Sequence, residues 1–120
     1  MDQRTYEQMV ADAKTRIREV TPREALAQRE ADGGVVFLDV REPQEWNLFR
    51  IPGAVHVPLG ALGDAVGRAV RTDQPVIVYC ARGNRSALAA DTMREMGYRD
   101  VASLAEGIRG WMQAGGDVEE

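Results

Sequence analysis

Val76-Ile77-Val78-Tyr79-Cys80-Ala81-Arg82-Gly83-Asn84-Arg85-Ser86-Ala87 passes from an unbroken apolar run into a polar loop at a single cysteine. A short, β-branched apolar run of this kind predicts a strand buried on both faces, as in parallel sheets covered by helices. The loop after it holds Gly83 and two arginines, and a helix is expected to begin around Ser86. A second run, Val35-Val36-Phe37-Leu38-Asp39-Val40, has the same character. Weaker strands are expected at Val55-His56-Val57 and Val101-Ala102-Ser103-Leu104, with a stub near Glu19-Val20.

Helical stretches alternate with these strands. Tyr6, Met9, Val10, Ala13 and Ile17 recur at helical spacing and predict an amphipathic helix over 5–18. Thr21-Pro22-Arg23-Glu24 is a capping box with proline in the first turn, opening a second helix that ends near Asp32-Gly33-Gly34. Further helices are expected at about 43–49, 60–70, 86–96 and 107–114, with Gly97 and Gly115 where C-terminal stops belong. Such alternation predicts an α/β fold with a mainly parallel sheet of about five strands and helices on both faces. In these sheets the site lies beyond the carboxyl ends of the strands, where both Asp39 and Cys80 fall.

Composition narrows the chemistry. The chain has 120 residues, the size of one domain, with 44% hydrophobic and 28% charged residues. No stretch approaches the roughly 20 apolar residues of a membrane span, so no membrane role is expected. The N-terminal segment lacks the apolar centre of a secretory signal, which leads to an expected cytoplasmic location. A net charge of −4 disfavours a generic nucleic-acid binder. One cysteine and one histidine, Cys80 and His56, leave neither an internal disulfide nor a multi-cysteine or multi-histidine metal site. Any chemistry must lean on Cys80, carboxylates or arginines.

A lone cysteine is more often a small, inert, buried hydrophobe. That reading predicts apolar neighbours on both sides, whereas Cys80 is followed by Arg82, Gly83, Asn84 and Arg85. Successive backbone N–H groups in a tight loop make an anion nest, and a helix start adds partial positive charge. The expected product is a nucleophilic thiolate in a cradle shaped for an anion.

At these residues the chain resembles the rhodanese-like sulfurtransferase domain. The resemblance rests on four segments in order: Leu38-Asp39-Val40-Arg41-Glu42-Pro43-Gln44-Glu45-Trp46, Ile51-Pro52-Gly53-Ala54-Val55-His56-Val57-Pro58, Cys80 to Ser86, and Leu104-Ala105-Glu106-Gly107-Ile108-Arg109-Gly110-Trp111. It implies a three-layer rhodanese-like domain over 19–118. Residues 1–18 lie outside it as an N-terminal helical extension, with a packing helix favoured over a partner-binding one. The resemblance also implies that Cys80 takes a sulfane sulfur from thiosulfate or another persulfide donor and holds it as a persulfide. Cyanide, a thiol or another protein would then remove it. Ala81, Arg82, Gly83, Asn84, Arg85 and Ser86 would bind the substrate, with backbone N–H groups stabilising the anionic persulfide and Arg82 and Arg85 orienting the donor. No cofactor or metal is implied, because the covalent intermediate divides the transfer into two steps. The chain departs from the family in two places. Phe49-Arg50 stands where Gly-His is frequent, and Glu106-Gly107 where two glycines are frequent.

Other residues carry two readings each. Asp39 and Arg41 could support the cysteine loop through a carboxylate–amide contact, or form a structural ion-pair group with Glu42 and Glu45. The second is favoured. His56 could act as a base toward Cys80, but the family needs none. Trp46 and Trp111 are expected in the core or pocket wall, and Met93 and Met96 against the sheet. Two rival functions remain. A persulfide carrier for a partner protein would use the same residues with little turnover. A cysteine phosphatase or arsenate reductase shares the strand–loop–helix logic, but four residues separate Cys80 from Arg85, one fewer than in the usual phosphatase loop. That shorter cradle suits one sulfur better than a tetrahedral oxyanion.

Overall fold

The computed structural model describes residues 3–120. Five strands, β1 (Arg18–Val20), β2 (Val36–Asp39), β3 (Val55–His56), β4 (Val76–Tyr79) and β5 (Val101–Leu104), form one sheet in the order β1-β5-β4-β2-β3. Every pairing is parallel. The helices are α1 (Tyr6–Lys14), α2 (Pro22–Ala31), α3 (Pro43–Leu48), α4 (Leu62–Ala69), α5 (Asn84–Glu95) and α6 (Gly107–Gln113). A 3-10 turn at Leu59–Ala61 leads into α4.

All four residues of the central strand β4 are buried, which explains the unbroken apolar run. Successive side chains of a strand point to opposite faces. Val76, Val78 and Cys80 therefore join Leu62 and Val66 of α4 and Ala89 and Met93 of α5 in one core. Ile77 and Tyr79 join Ala25 of α2 and Ile108 and Trp111 of α6 in the other. These two cores on either side of one parallel sheet make the three-layer α/β architecture. Each fully buried Leu, Ile or Val side chain contributes about 1.5–3 kcal/mol relative to exposure, so the strands that carry the site are held firmly. Helix α1 lies outside this layer against α5, burying Val10 and Ala13.

Several boundaries differ from the sequence expectation. Helix α1 stops at Lys14 instead of running to 18, because Arg18–Val20 pairs with Ala102–Leu104 and becomes the edge strand β1. Helix α5 begins at Asn84, with Gly83 as its N-cap at φ +103°, so Ser86 lies inside the first turn. Met93 packs fully into the core, but Met96 is 39% exposed because it caps the end of α5. Strand β2 ends at Asp39, directly opposite Tyr79, so Asp39 and Cys80 share one edge of the sheet.

Candidate active site

Cys80 is 1% exposed and sits where β4 turns into α5. Its Sγ accepts backbone hydrogen bonds from Gly83 at 3.1 Å and Ser86 at 3.4 Å. The loop achieves this because Gly83 adopts a left-handed conformation that other residues resist. The peptide chain then curls under the sulfur as α5 starts, and the first N–H groups of a helix have no intrahelical partner to compete. Negative charge on this sulfur, or on a second sulfur bonded to it, meets aligned donors and the positive end of a helix. The thiol in turn donates to Ser86 Oγ at 3.5 Å, and Ser86 Oγ lies 2.8 Å from Ser103 Oγ on β5. Both serines are fully buried.

The start of α6 braces the loop from below. Ile108 N donates to Cys80 O at 2.9 Å and Arg109 N to Ala81 O at 3.3 Å. That approach is possible only at a glycine, since a Cβ on Gly107 would lie 2.4 Å from the Ala81 carbonyl carbon. The closing segment at 104–111 is thus joined physically to the cysteine loop. The residue before Gly107, Glu106, takes a left-handed φ of +64° where the family frequently has glycine.

The two loop arginines differ. Arg85 is half-buried and forms a bidentate pair with Glu45 of α3, at 2.6 and 3.0 Å. The Arg85 hydrogen bonds hold the Glu45 carboxyl at about 2, against a burial effect that works the other way, with the Glu42 N–H bond adding to the depression. The carboxylate likewise raises Arg85 above its ordinary range. Much of the Arg85 charge is therefore already answered within the protein. Arg82 is exposed and makes no ion pair among the described residues, so it is the less compensated cation at the pocket mouth.

Asp39 and Arg41 form a buried pair, with Arg41 Nη2 donating to Asp39 Oδ2 at 2.8 Å and Arg41 N donating to Asp39 Oδ1 at 2.8 Å. Burial disfavours the Arg41 charge, yet the Asp39 hydrogen bonds and charge outweigh it and raise the guanidinium above its usual value. Arg41 also donates to Phe49 O at 2.6 Å. The expected four-residue group is thus divided: Asp39 holds Arg41 and the turn, whereas Glu45 reaches across to Arg85. The hydrogen bonds made by the Asp39 carboxylate go to Arg41 and not to the cysteine loop. His56 donates from Nε2 to Arg41 O at 2.8 Å and stacks on Trp46 with ring centroids 4.7 Å apart. It supports the Arg41 turn and makes no hydrogen bond to Cys80. Trp111 is a core residue, with its Nε1 donating to Asp117 O at 2.7 Å.

A pocket of about 200 Å³ opens onto the sulfur, lined by Tyr6, Cys80, Ala81, Arg82, Asn84 and Arg85. Of these, Tyr6 alone has no expected site role in the sequence, where it is only an apolar position of the N-terminal helix. Glu45, Ser103 and Gly107 also had no functional assignment from sequence. The closing motif carried a signal for Gly107, but no local signal joins Tyr6 or Glu45 to the loop. A larger apolar groove of about 430 Å³ lies beside the loop at Ala81, between Leu48, Phe49 and Met112. Among the described residues there is no cluster of three or more His, Cys, Asp or Glu placed to hold a metal ion. No described helix is long and apolar enough to cross a membrane.

Comparison with known proteins agrees with this geometry. The Pseudomonas syringae "Thiosulfate sulfurtransferase GlpE" is 35% identical over 97 residues, covering 81% of this chain and 89% of that protein. The Bacillus subtilis "Putative sulfur carrier protein YrkF" is 36% identical over 89 residues, covering 73% of this chain. The chain spans only 48% of that relative's length. A solved structure from Rhodopseudomonas palustris, described as "Possible Tyrosine Phosphatase", superposes with a TM-score of 0.86 at 32% identity, covering 99% of this chain and 97% of its own. The family model described as "Rhodanese-like domain" matches residues 21–114, which include the whole of the cysteine loop and the helix that braces it. This chain belongs to the rhodanese-like domain family.

Proposed function

We propose that the protein is a sulfurtransferase that works through a persulfide on Cys80. The Cys80 thiolate attacks the outer sulfur of thiosulfate, forming a new S–S bond. The old S–S bond breaks and its electron pair departs with sulfite. The terminal sulfur of the resulting Cys80 persulfide is then attacked by cyanide, a thiol or a protein thiolate, which carries it away and returns the thiolate. The observation that carries this reading is the convergence of the Gly83 and Ser86 N–H groups on the sulfur of the chain's one cysteine. Such preorganised donors favour charge that develops there and need no rearrangement during the reaction. Ala81, Arg82, Asn84 and Arg85 form the surrounding pocket, with Arg82 drawing in the anionic donor. The similarity to a relative named thiosulfate sulfurtransferase supports the same chemistry.

A persulfide carrier is the second reading, favoured by the similarity to a relative named as a sulfur carrier. Both readings place the sulfur on Cys80. Intact-mass spectrometry after incubation with thiosulfate tests the shared step. Wild type should gain one sulfur atom, lose it on addition of cyanide, and Cys80→Ser should gain none. Steady-state turnover with cyanide and with small thiols then separates an enzyme from a carrier. If neither thiosulfate nor a persulfide donor adds sulfur to wild type, the proposal fails.

A further inference from the structure

Tyr6 opens α1, well before the family match begins at residue 21. The helix is nevertheless anchored to the catalytic layer. Thr5 and Gln8 form a capping box, with the Thr5 N–H donating to Gln8 Oε1 at 2.8 Å and the Gln8 N–H donating to Thr5 Oγ1 at 3.1 Å. Val10 and Ala13 are buried on the same helix, which lies against α5. Just beyond its end, Arg16 donates to both carboxylate oxygens of Asp91 on α5, the closest contact being 2.8 Å. Helix α5 is the element that begins at the cysteine loop, so α1 is placed relative to the sulfur by its own anchors.

That placement brings Tyr6 into the wall of the Cys80 pocket, beside Arg82, Asn84 and Arg85. Tyr6 is 45% exposed, and its hydroxyl has no hydrogen-bond partner among the described residues. The phenol also lies within electrostatic reach of Cys80 and Arg85. Partial burial, then the charge at Cys80, raise its pKa against the opposing effect of Arg85, so at neutral pH it is an O–H donor. Donors therefore surround the sulfur in two layers. The N–H groups of Gly83 and Ser86 face the Cys80 sulfur from beneath, and the Arg82 guanidinium and the Tyr6 hydroxyl, both on residues of the pocket wall, are left for the remainder of a bound molecule.

We infer that Tyr6 determines specificity for the sulfur donor: its hydroxyl binds the oxyanion end of a thiosulfate-type donor, and its ring limits the bulk that donor can carry. The inference rests on the sulfurtransferase reading and extends it to the donor's chemical class. During transfer the attacked sulfur bonds to Cys80 Sγ, and the sulfite that departs keeps the oxygens held by Tyr6. The hydroxyl serves the bound donor and the departing sulfite alike, so its removal affects binding more than the chemical step.

Steady-state kinetics of the full chain with thiosulfate and with benzenethiosulfonate, using cyanide as acceptor, test this. Tyr6→Phe should raise KM for thiosulfate by about tenfold, the size of one hydrogen bond to a charged group, with kcat changed by less than about twofold. Tyr6→Ala should, in addition, raise the ratio of kcat/KM for benzenethiosulfonate over thiosulfate by roughly tenfold, because the ring is gone. An unchanged KM in Tyr6→Phe, or an unchanged ratio in Tyr6→Ala, overturns the inference while wild-type turnover leaves the sulfurtransferase reading standing. A wild-type protein that takes sulfur from neither donor overturns that reading and this inference together.

Discussion

The Arg85 guanidinium and the Glu45 carboxylate meet in two hydrogen bonds, 2.6 and 3.0 Å long, across 40 positions of sequence. The pair ties α3 to the first turn of α5, so it links two of the elements surrounding the sulfur. It also withholds part of the Arg85 charge from whatever enters the pocket. Bidentate geometry makes this a stronger contact than an ordinary surface ion pair.

This pairing predicts a specific acid dependence. The Glu45 carboxyl is held at about 2 in the folded protein, below its reference value of 4.5. Its contribution to stability is therefore fully present above pH 4.5 and is lost as pH falls toward 2. Glu45→Gln should be less stable than wild type by about 1 kcal/mol near neutrality, a modest figure because both side chains keep contact with solvent. Urea denaturation from pH 6 down to about pH 2 should show the difference shrinking toward the acid end. A difference that stays constant over that range would exclude the pairing as its source.

Asp39 and Arg41 should behave differently, because their side chains are 0% and 3% exposed. Asp39→Ala leaves the Arg41 guanidinium buried without its carboxylate, a change that typically costs about 3–5 kcal/mol. Chemical denaturation should record a loss of this size, several times that of Glu45→Gln. A loss below about 1 kcal/mol would mean that water enters and solvates Arg41.

Gly107 is the point where the helix brace touches the cysteine loop. Gly107→Ala would place a Cβ 2.4 Å from the Ala81 carbonyl oxygen and 2.5 Å from the Cys80 carbonyl oxygen. Backbone must move, at a cost of about 2 kcal/mol or more. Sulfur loading of Cys80, followed by intact mass, should slow by at least about tenfold, since misplacing the Gly83 and Ser86 donors weakens their support of the anion. Wild-type loading rates in this variant would show that the loop does not depend on the brace.

Its neighbour Glu106 predicts the reverse sign. A non-glycine residue at φ +64° is strained, and Glu106 is exposed and makes no hydrogen bond through its carboxylate among the described residues. Glu106→Gly should relieve about 1 kcal/mol of strain, offset in part by the greater freedom of glycine in the unfolded chain. Thermal unfolding should show an increase of a few degrees for a domain of this size. A lower melting temperature would reveal a stabilising role for the Glu106 side chain.

Local sequence was sufficient for the order and type of most strands and helices, and for the place of Cys80 at the carboxyl end of a central strand. Apolar runs bounded by turn residues mark β2 and β4, and the polar residues after Cys80 distinguish it from a cysteine with apolar neighbours on both sides. Capping and glycine signals mark both ends of α2 and the C-terminal ends of α5 and α6. Each of these depends on residues within a few positions of one another, and their physics is visible in the chain itself. Helix α1 ran past its true end in the sequence reading because the strand at Arg18–Val20 exists only by pairing with β5.

Only the tertiary structure decided which groups surround the sulfur. The partition of Asp39 with Arg41 and Glu45 with Arg85 depends on where α3 lies against α5, and the charges at positions 39–45 cannot by themselves specify a partner 40 positions away. Ser103 meets Ser86 because β5 lies beside β4, and Gly107 matters because α6 returns to the cysteine loop. Tyr6 reaches the pocket because Val10, Ala13 and Arg16 dock α1 on α5. The sequence determined a parallel α/β sheet with a cysteine at a strand's carboxyl end. Long-range packing determined the pocket around it, because contacts between distant segments form only once both faces of the sheet are covered.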